Sequence, residues 1–209
     1  ELGVLEKENI AIYSQNVPQY LYTEFGAYAN RATSVPIYAT SSPEQVEYIV
    51  NDAKIELLFA GEQFQYNNAF KVQQKTSTLK RIIVFDKKVK FHPEDKTSFY
   101  FDQFIATGQN STAEVLVHVR TKSRQESDTA CIIYTSGTTG EPKGVVLPHS
   151  CFMEVFRIHD LRLGHVVSNK DLSMNFLPLA HIFEKAWTYF AIHVGMTIAV
   201  NRDAKEIQK

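Results

Sequence analysis

The stretch VPIYATSSPEQVEYIVNDAKIELLFA, residues 35–60, contains the local pattern that decides the fold. It begins with an apolar run of strand length, passes through polar and helix-forming residues, and ends in a second apolar run. Ser42, Pro43 and Gln45 have the spacing of an N-cap, a first and a third helical position, which predicts a helix start with a capping box. The residues that follow supply an apolar stripe at helical spacing: Val46, Ile49, Val50 and Ala53. The segment therefore predicts a strand, a helix and a second strand.

The same alternation of short apolar runs and amphipathic stretches continues on both sides of this segment. Strands are predicted at residues 10–13, 35–38, 57–60, 82–85, 130–134, 144–147, 172–176 and 197–200. Two later helices are predicted at about residues 149–163 and 181–194. Asn16, with Gln19 three residues later, predicts another helix start, and we expect its apolar face to cover the sheet with Leu21, Phe25 and Tyr28. This order of units is typical of an α/β fold on a mostly parallel sheet.

The pattern weakens between residues 86 and 128. Polar runs at residues 87–88 and 121–127 flank a short helix predicted at residues 98–106. We expect this segment to be a surface connection between two halves of the chain, with its charged runs facing solvent.

Composition and charge exclude several classes of protein. Of the 209 residues, 44% are hydrophobic and 22% charged, which is typical of globular proteins. The 22 Lys and Arg residues nearly balance the 23 Asp and Glu residues, so the charge does not favour nucleic acid or an anionic membrane as the main partner. No apolar run approaches the roughly 18 to 20 residues of a membrane-spanning helix. We therefore expect no bound nucleic acid and no transmembrane segment.

The start of the chain and its cysteines bear on cellular location. The first eight residues lack the positive and apolar regions of a signal peptide, and the chain does not begin with Met. We therefore expect a fragment of a cytoplasmic protein. Cys131 and Cys151 are too few for a disulfide framework or a zinc site, so they are predicted to be buried, reduced thiols, and no metal site is predicted.

The loop TSGTTGEPKG, residues 135–144, concentrates hydroxyl groups, glycines and one lysine between two predicted strands. Glycines let backbone N–H groups approach anionic oxygens, hydroxyls donate further hydrogen bonds, and the Lys143 ammonium offsets phosphate charge. These properties favour a polyphosphate site, and the alternative is a hairpin turn without a ligand. The loop is not a Walker A motif, because Glu141 and Pro142 separate Gly140 from Lys143, and a Gly-x-Gly-x-x-Gly fingerprint is absent.

The twelve residues YTSGTTGEPKGV, 134–145, resemble the signature loop of the AMP-forming adenylating enzymes, a family that includes acyl-CoA synthetases, luciferases and peptide-synthetase adenylation domains. Residues 35–43 and the stretch NFLPLAHIFE, residues 175–184, are similar to the long-chain acyl-CoA synthetase branch in particular. Lys185 and Pro148 depart from residues that are common in the family. The resemblance implies that the chain is part of the large N-terminal domain of such an enzyme. It further implies that the loop holds the ATP β- and γ-phosphates through Thr135, Ser136, Gly137, Thr138, Thr139, Gly140 and Lys143.

His181 is predicted to begin an apolar helix. It is either a capping or core histidine, or, as the resemblance implies, a polar contact where acyl carboxylate and adenylate meet. Glu184 could fix the His181 tautomer through a hydrogen bond, or it could pair with Lys185 or with solvent. Trp187 and Phe190 are predicted to pack in the core rather than to line an acyl tunnel. Lys143 and His181 are thus the candidate catalytic residues.

The reaction implied by the resemblance has two steps. A fatty-acid carboxylate attacks the α-phosphorus of Mg²⁺-ATP to give acyl-adenylate and pyrophosphate, and the thiol of coenzyme A then displaces AMP. We expect the Mg²⁺ ligand, the ribose contact and a C-terminal domain with the adenylation lysine to lie outside a chain that is cut at both ends, so that residues 1–209 alone are inactive. The resemblance leaves open a peripheral membrane association of the whole enzyme. Two alternatives remain: an enzyme that adenylates an aryl or amino acid, and a non-catalytic nucleotide- or acyl-binding module.

Overall fold

The computed structural model describes residues 4–109, 111–135 and 141–202. The strands are β1 (Asn9–Tyr13), β2 (Thr33–Ile37), β3 (Leu57–Ala60), β4 (Arg81–Val84), β5 (Phe99–Tyr100), β6 (Thr129–Thr135), β7 (Lys143–Pro148), β8 (Leu172–Asn175) and β9 (Thr197–Val200). The helices are α1 (Pro18–Ala29), α2 (Pro43–Asp52), α3 (Gln63–Gln73), α4 (Phe101–Gly108), α5 (Glu114–Ser123), α6 (His149–Leu163) and α7 (Ile182–Val194).

The main sheet has the strand order β5-β4-β3-β1-β2-β6-β7 in the described part of the chain. Every neighbouring pair is parallel except β6 and β7, which form an antiparallel pair. A separate parallel pair consists of β8 and β9. The predicted α/β fold with a mostly parallel sheet is therefore confirmed.

Helices cover both faces of the main sheet, and its central strands are buried on both sides. Ile12 and Phe59 face a core that contains residues of α1, α6 and α7. Tyr13 and Leu58 face the opposite core, to which α2 and α3 contribute. Because side chains alternate along a strand, nearly continuous apolar strands such as β1 and β3 supply both cores.

The two helix starts predicted from capping signals differ in outcome. The capping box of α2 is confirmed, with Ser42 and Gln45 bonded reciprocally. The Asn16 cap is wrong, because α1 has Val17 as its N-cap and Pro18 at its first position. Pro is favoured at that position, since its fixed φ suits the helix and its missing N–H leaves no donor unsatisfied.

The predicted sheet-facing side of α1 is correct only in part. Leu21 is buried and Tyr28 half-buried, but Phe25 is exposed. Tyr20 and Glu24 are instead fully buried in the helix interface.

Residues 86–128 contain more structure than the weak pattern indicates. The strand β5 extends the sheet beside β4, and the helix predicted at residues 98–106 begins after it as α4. The helix α5 was not predicted, and it contacts α1. Both α4 and α5 are largely exposed, and the division into two halves stays a prediction.

The two cysteines lie in different environments. Cys131 is buried in β6, and burial raises the pKa of its thiol to about 12. The prediction of a buried thiol is wrong for Cys151, which is exposed on α6 because the neighbouring Phe152 occupies the inner face.

An ion pair without exposed surface joins α7 to α1. The Lys185 Nζ atom lies 2.5 Å from Glu24 Oε1, and both side chains are completely buried. Ser34 of β2 donates a hydrogen bond of 2.7 Å to the same Glu24 oxygen. The Nζ atom also lies 5.4 and 5.5 Å from the ring centroids of Tyr20 and Tyr189. These contacts attach α7 to the sheet through the helix that follows β1.

We predict that Lys185→Met lowers the free energy of unfolding by about 3 to 5 kcal/mol, because it leaves the Glu24 carboxylate buried without its partner. The double variant Glu24→Gln/Lys185→Met should recover at least half of that loss. Lys75→Met is the control, because its pair with Glu47 is exposed and should contribute less than about 1 kcal/mol. Urea unfolding provides the measurement. A double variant no more stable than Lys185→Met would contradict this account.

Candidate active site

An open cleft of about 480 Å³ lies at the carboxyl ends of β2 and β6. Its walls include the first turns of α2, Thr135 and Pro142 at the two ends of the hydroxyl-rich loop, and His181. The structure therefore brings together both segments that the sequence singled out, although about forty residues separate them. Ligand sites in open α/β sheets commonly lie at this edge.

A second cleft, of about 530 Å³, lies between α1 and residues 124–129, at the opposite edge of the sheet. Its Arg31 is held by Asp128 at 2.9 and 3.0 Å and by Glu6 at 2.8 Å. Acidic neighbours therefore neutralise this guanidinium, and the cleft, which Arg124 also lines, includes neither of the two segments that the sequence singled out. The cleft beside His181 is the stronger candidate.

The ends of the loop are fixed by strand pairing. Thr135 lies opposite Lys143 and Tyr134 opposite Gly144 in the antiparallel pair of β6 and β7. Thr135 and Lys143 are exposed at the edge of the sheet. Five predicted site residues lie outside the described residues: Ser136, Gly137, Thr138, Thr139 and Gly140.

Gly144 allows the two strands to pack closely beside the loop. A Cβ at this position would lie 2.8 Å from Ile132 Cγ2 and 3.2 Å from Tyr134 Cζ. The Tyr134 hydroxyl donates a hydrogen bond to Asp52 at the end of α2. Burial raises the pKa of Tyr134, with a further contribution from Asp52, so its hydroxyl stays protonated at neutral pH. The carboxyl end of β6 is therefore tied to α2.

His181 is the N-cap of α7. Its Nδ1 atom accepts a hydrogen bond of 3.2 Å from the Phe183 backbone N–H, and the side chain is exposed at the cleft. A neutral ring that accepts at Nδ1 carries its proton on Nε2, which gives it one donor for a ligand. The capping role is therefore observed, and it is compatible with the predicted contact to a substrate.

Glu184 has neither of the partners that its sequence position suggested. Its Oε2 atom accepts from the Leu177 backbone N–H at 3.1 Å, and its Oε1 atom accepts from the Thr188 hydroxyl at 3.2 Å. The predictions that it bonds His181 or pairs with Lys185 are wrong, because the side chain turns inward to the segment before α7. Burial raises the pKa of Glu184, and these hydrogen bonds only partly offset the effect.

The sequence analysis gave Asn16 the wrong role, that of a helix cap. Its side chain bonds the segment between β8 and α7 rather than its own helix. The partners lie more than 150 residues away, so no local signal pointed to them. By contrast, the prediction of core packing is confirmed for Phe190, which is fully buried, whereas Trp187 is half-buried against the same core, with its indole N–H bonded to Ser173.

No group of three or more His, Cys, Asp or Glu side chains in the described ranges has the arrangement of a metal site. Within the same residues, no helix has both the length and the apolar character needed to cross a membrane.

Residues 1–208 match the family of AMP-binding enzymes, and the chain belongs to this family. It is 29% identical to Long chain acyl-CoA synthetase 3 of Arabidopsis thaliana over 206 residues, which cover 94% of this chain and 30% of that relative. The chain spans about a third of the length of the curated relatives it matches.

Two solved structures show the same fold. A red-emitting luciferase from Phrixothrix hirtus superposes with a TM-score of 0.77 at 21% identity, covering 96% of this chain and 37% of the luciferase. VinN in complex with 3-methylaspartate superposes with a TM-score of 0.68 at 19% identity, covering 98% of this chain and 50% of VinN. The family resemblance and the fold class expected from the sequence are thus confirmed.

The raised pKa of Glu184 predicts a specific pH dependence of stability. The native state retains this proton above the ordinary value of 4.5, so the free energy of unfolding should fall as pH rises from 4.5 through the native pKa. Glu184→Gln has no titrating carboxyl at this position, so its free energy of unfolding should rise relative to that of the wild type over that pH interval. Urea unfolding at several pH values tests it, with the exposed Glu154→Gln as control. If the difference in free energy of unfolding between Glu184→Gln and the wild type does not change with pH, the prediction is contradicted.

Proposed function

We propose that this chain carries the ATP-phosphate and carboxylate end of the active site of an AMP-forming long-chain fatty-acid CoA ligase. The observation that carries the proposal is the shared cleft of Thr135, Pro142 and His181. Adenylation must bring two anions together and stabilise charge on phosphate oxygens, so it depends on positioning and electrostatics. A hydroxyl-rich loop beside a histidine N–H donor suits both needs.

In this proposal the loop and the histidine act on different anions. The loop donates hydrogen bonds to the β- and γ-phosphates from Thr135, Ser136, Gly137, Thr138, Thr139 and Gly140. The Lys143 ammonium offsets the charge of the pyrophosphate as it leaves. The His181 Nε2–H donates to the acyl carboxylate, which orients the carboxylate oxygen that attacks the α-phosphorus.

Other parts of the reaction are assigned outside these residues. ATP brings Mg²⁺, which neutralises phosphate charge, and we propose that its protein ligand lies elsewhere in a longer enzyme. We assign the ribose contact and the adenylation lysine there too. Coenzyme A then attacks the acyl-adenylate through its thiol and releases AMP.

The choice of acid rests on the named relatives. Family membership and fold do not decide it, because VinN, which shares the fold, is seen with 3-methylaspartate. The similarity to Long chain acyl-CoA synthetase 3 favours a long-chain fatty acid over an aryl or amino acid. A non-catalytic binding module would also keep the fold, and activity measurements separate it from an enzyme.

We predict that Lys143→Ala and Thr138→Ala each slow ATP–pyrophosphate exchange in the full-length enzyme about 30- to 1,000-fold. Each removes a donor aimed at phosphate oxygens, and such a loss typically costs about 2 to 4 kcal/mol at the transition state. Lys80→Ala is a matched control, because this exposed lysine precedes β4 at the opposite edge of the sheet. Normal exchange in both loop variants would remove the loop from the mechanism.

We predict that His181→Ala raises the KM for the acid and lowers turnover, with little change in the KM for ATP. The expected cause is loss of the donor to the carboxylate. The exposed His118→Ala on α5 is the control. Steady-state kinetics with varied acid and varied ATP measure the effect. If a variant with an unchanged thermal midpoint retains normal kinetics for the acid, His181 has only its capping role.

A further inference from the structure

We infer that Asn16 is a positioning residue for His181, because its side-chain amide fixes the backbone of residues 175–181 against the end of β1. The inference rests on the proposed function, which gives His181 a contact with the acid. In the described part of the chain, the Asn16 side chain forms no hydrogen bond with His181 or with the ends of the hydroxyl-rich loop. Its effect on the site therefore passes through the backbone.

The geometry uses the whole carboxamide. Asn16 Oδ1 accepts a hydrogen bond of 3.0 Å from the Leu179 N–H. Asn16 Nδ2 donates to the Leu177 carbonyl at 2.7 Å and to Asn175 Oδ1 at 2.5 Å. A carboxamide is both donor and acceptor in one plane, so it can bind a backbone N–H and a backbone C=O of the same segment. A carboxylate or an aliphatic side chain of similar size cannot do both.

One turn connects Leu177 and Leu179, the two residues whose backbone Asn16 binds, to His181. The His181 N–H donates to the Pro178 carbonyl at 2.8 Å, so this turn links both residues to the start of α7. On the other side, Asn175 Nδ2 donates to the Thr188 hydroxyl at 2.7 Å. The segment is therefore held from β1 and from α7 at once.

Burial shows why hydrogen bonds matter here. Asn16 is 5% exposed, whereas Phe176 is 41% exposed and Pro178 is also exposed. Within residues 175–181 the buried apolar side chains are those of Leu179 and the small Ala180. Because the segment buries little apolar surface, its course depends on polar contacts, and losing Asn16 would leave the Leu177 carbonyl and Leu179 N–H without these partners.

The location supports the inference. β1 is followed by α1 on one face of the sheet and the neighbouring β3 by α3 on the other, and in open α/β sheets such a crevice commonly binds ligands. In this protein, Asn16 in the crevice after β1 binds residues 175–179 of the chain itself. His181 is thereby placed at the neighbouring cleft, beside the carboxyl ends of β2 and β6.

The test is a double-mutant cycle in the full-length enzyme with acid-dependent ATP–pyrophosphate exchange as readout. We expect Asn16→Ala to slow exchange about 10- to 100-fold, as misplacement of a substrate contact does. In a His181→Ala background the same change should cost less than about 3-fold. If Asn16→Ala and His181→Ala slow exchange by factors that simply multiply in the double variant, the inference is overturned. Asn9→Ala is the matched control, because Asn9 bonds the Ala53 carbonyl at 2.8 Å from the opposite end of β1.

A spectroscopic measurement separates this inference from the proposed function. With ¹⁵N-labelled histidine, the His181 imidazole signals should shift in Asn16→Ala and not in Asn9→Ala. If His181→Ala leaves exchange normal, the proposed role of His181 fails, while shifted signals would still support the positioning by Asn16. Unshifted signals would overturn the positioning whatever the kinetics.

Thermal midpoints establish that each variant is folded. If Asn16→Ala does not fold, Asn16→Asp takes its place, since it keeps the side-chain size and the acceptor for Leu179 but loses both donors. Failure of both variants to fold would make Asn16 a determinant of folding and would overturn the inference.

Discussion

The Glu24–Lys185 ion pair holds α7, the helix that begins after His181, against α1 in the interior of the protein. Burying two charges is costly, and the attraction offsets that cost only when geometry and hydrogen bonds are good. The short Nζ–Oε1 distance, the Ser34 hydroxyl and the flanking tyrosine rings offset part of this cost, although Glu24 Oε2 is buried without a hydrogen-bond partner among the described residues. Asn16 then provides a second attachment at the start of the same helix segment. His181 lies between these two anchors, so its position is set by buried contacts although its side chain is exposed.

The proposed chemistry follows from which segments reach one edge of the sheet. Strand β6 delivers Thr135 to its carboxyl end, and the antiparallel return through β7 places Lys143 beside it. Helix α7 brings His181 to the same cleft from the other side. Thr135 and Pro142, at the described ends of the hydroxyl-rich loop, thus line the same cleft as His181, and a reaction between a carboxylate and a triphosphate requires such a meeting of two binding segments.

Sequence reasoning succeeded where the signal was local. The strand at residues 57–60, the helix at residues 149–163 and the capping box of α2 form as predicted, because apolar periodicity and cap spacing act over a few residues. The hydroxyl-rich loop could be singled out as a candidate site for the same reason. The missed features depend on how segments pack: the partners of Asn16 lie more than 150 residues away, and Glu184 turns inward to the Leu177 N–H in the segment before α7. Cys151 shows the same limit, since apolar neighbours do not reveal which face of α6 is buried.

The central claim is that the triphosphate and the acid meet in the cleft between the hydroxyl-rich loop and His181. A crystal structure of the full-length enzyme with a fatty acid and an ATP analogue that resists cleavage between the α- and β-phosphates tests it most directly. The account predicts β- and γ-phosphate oxygens within hydrogen-bond distance of donors in residues 135–143, and the carboxylate within reach of His181 Nε2. A nucleotide bound with its phosphates away from this loop, or an acid bound away from His181, would contradict it.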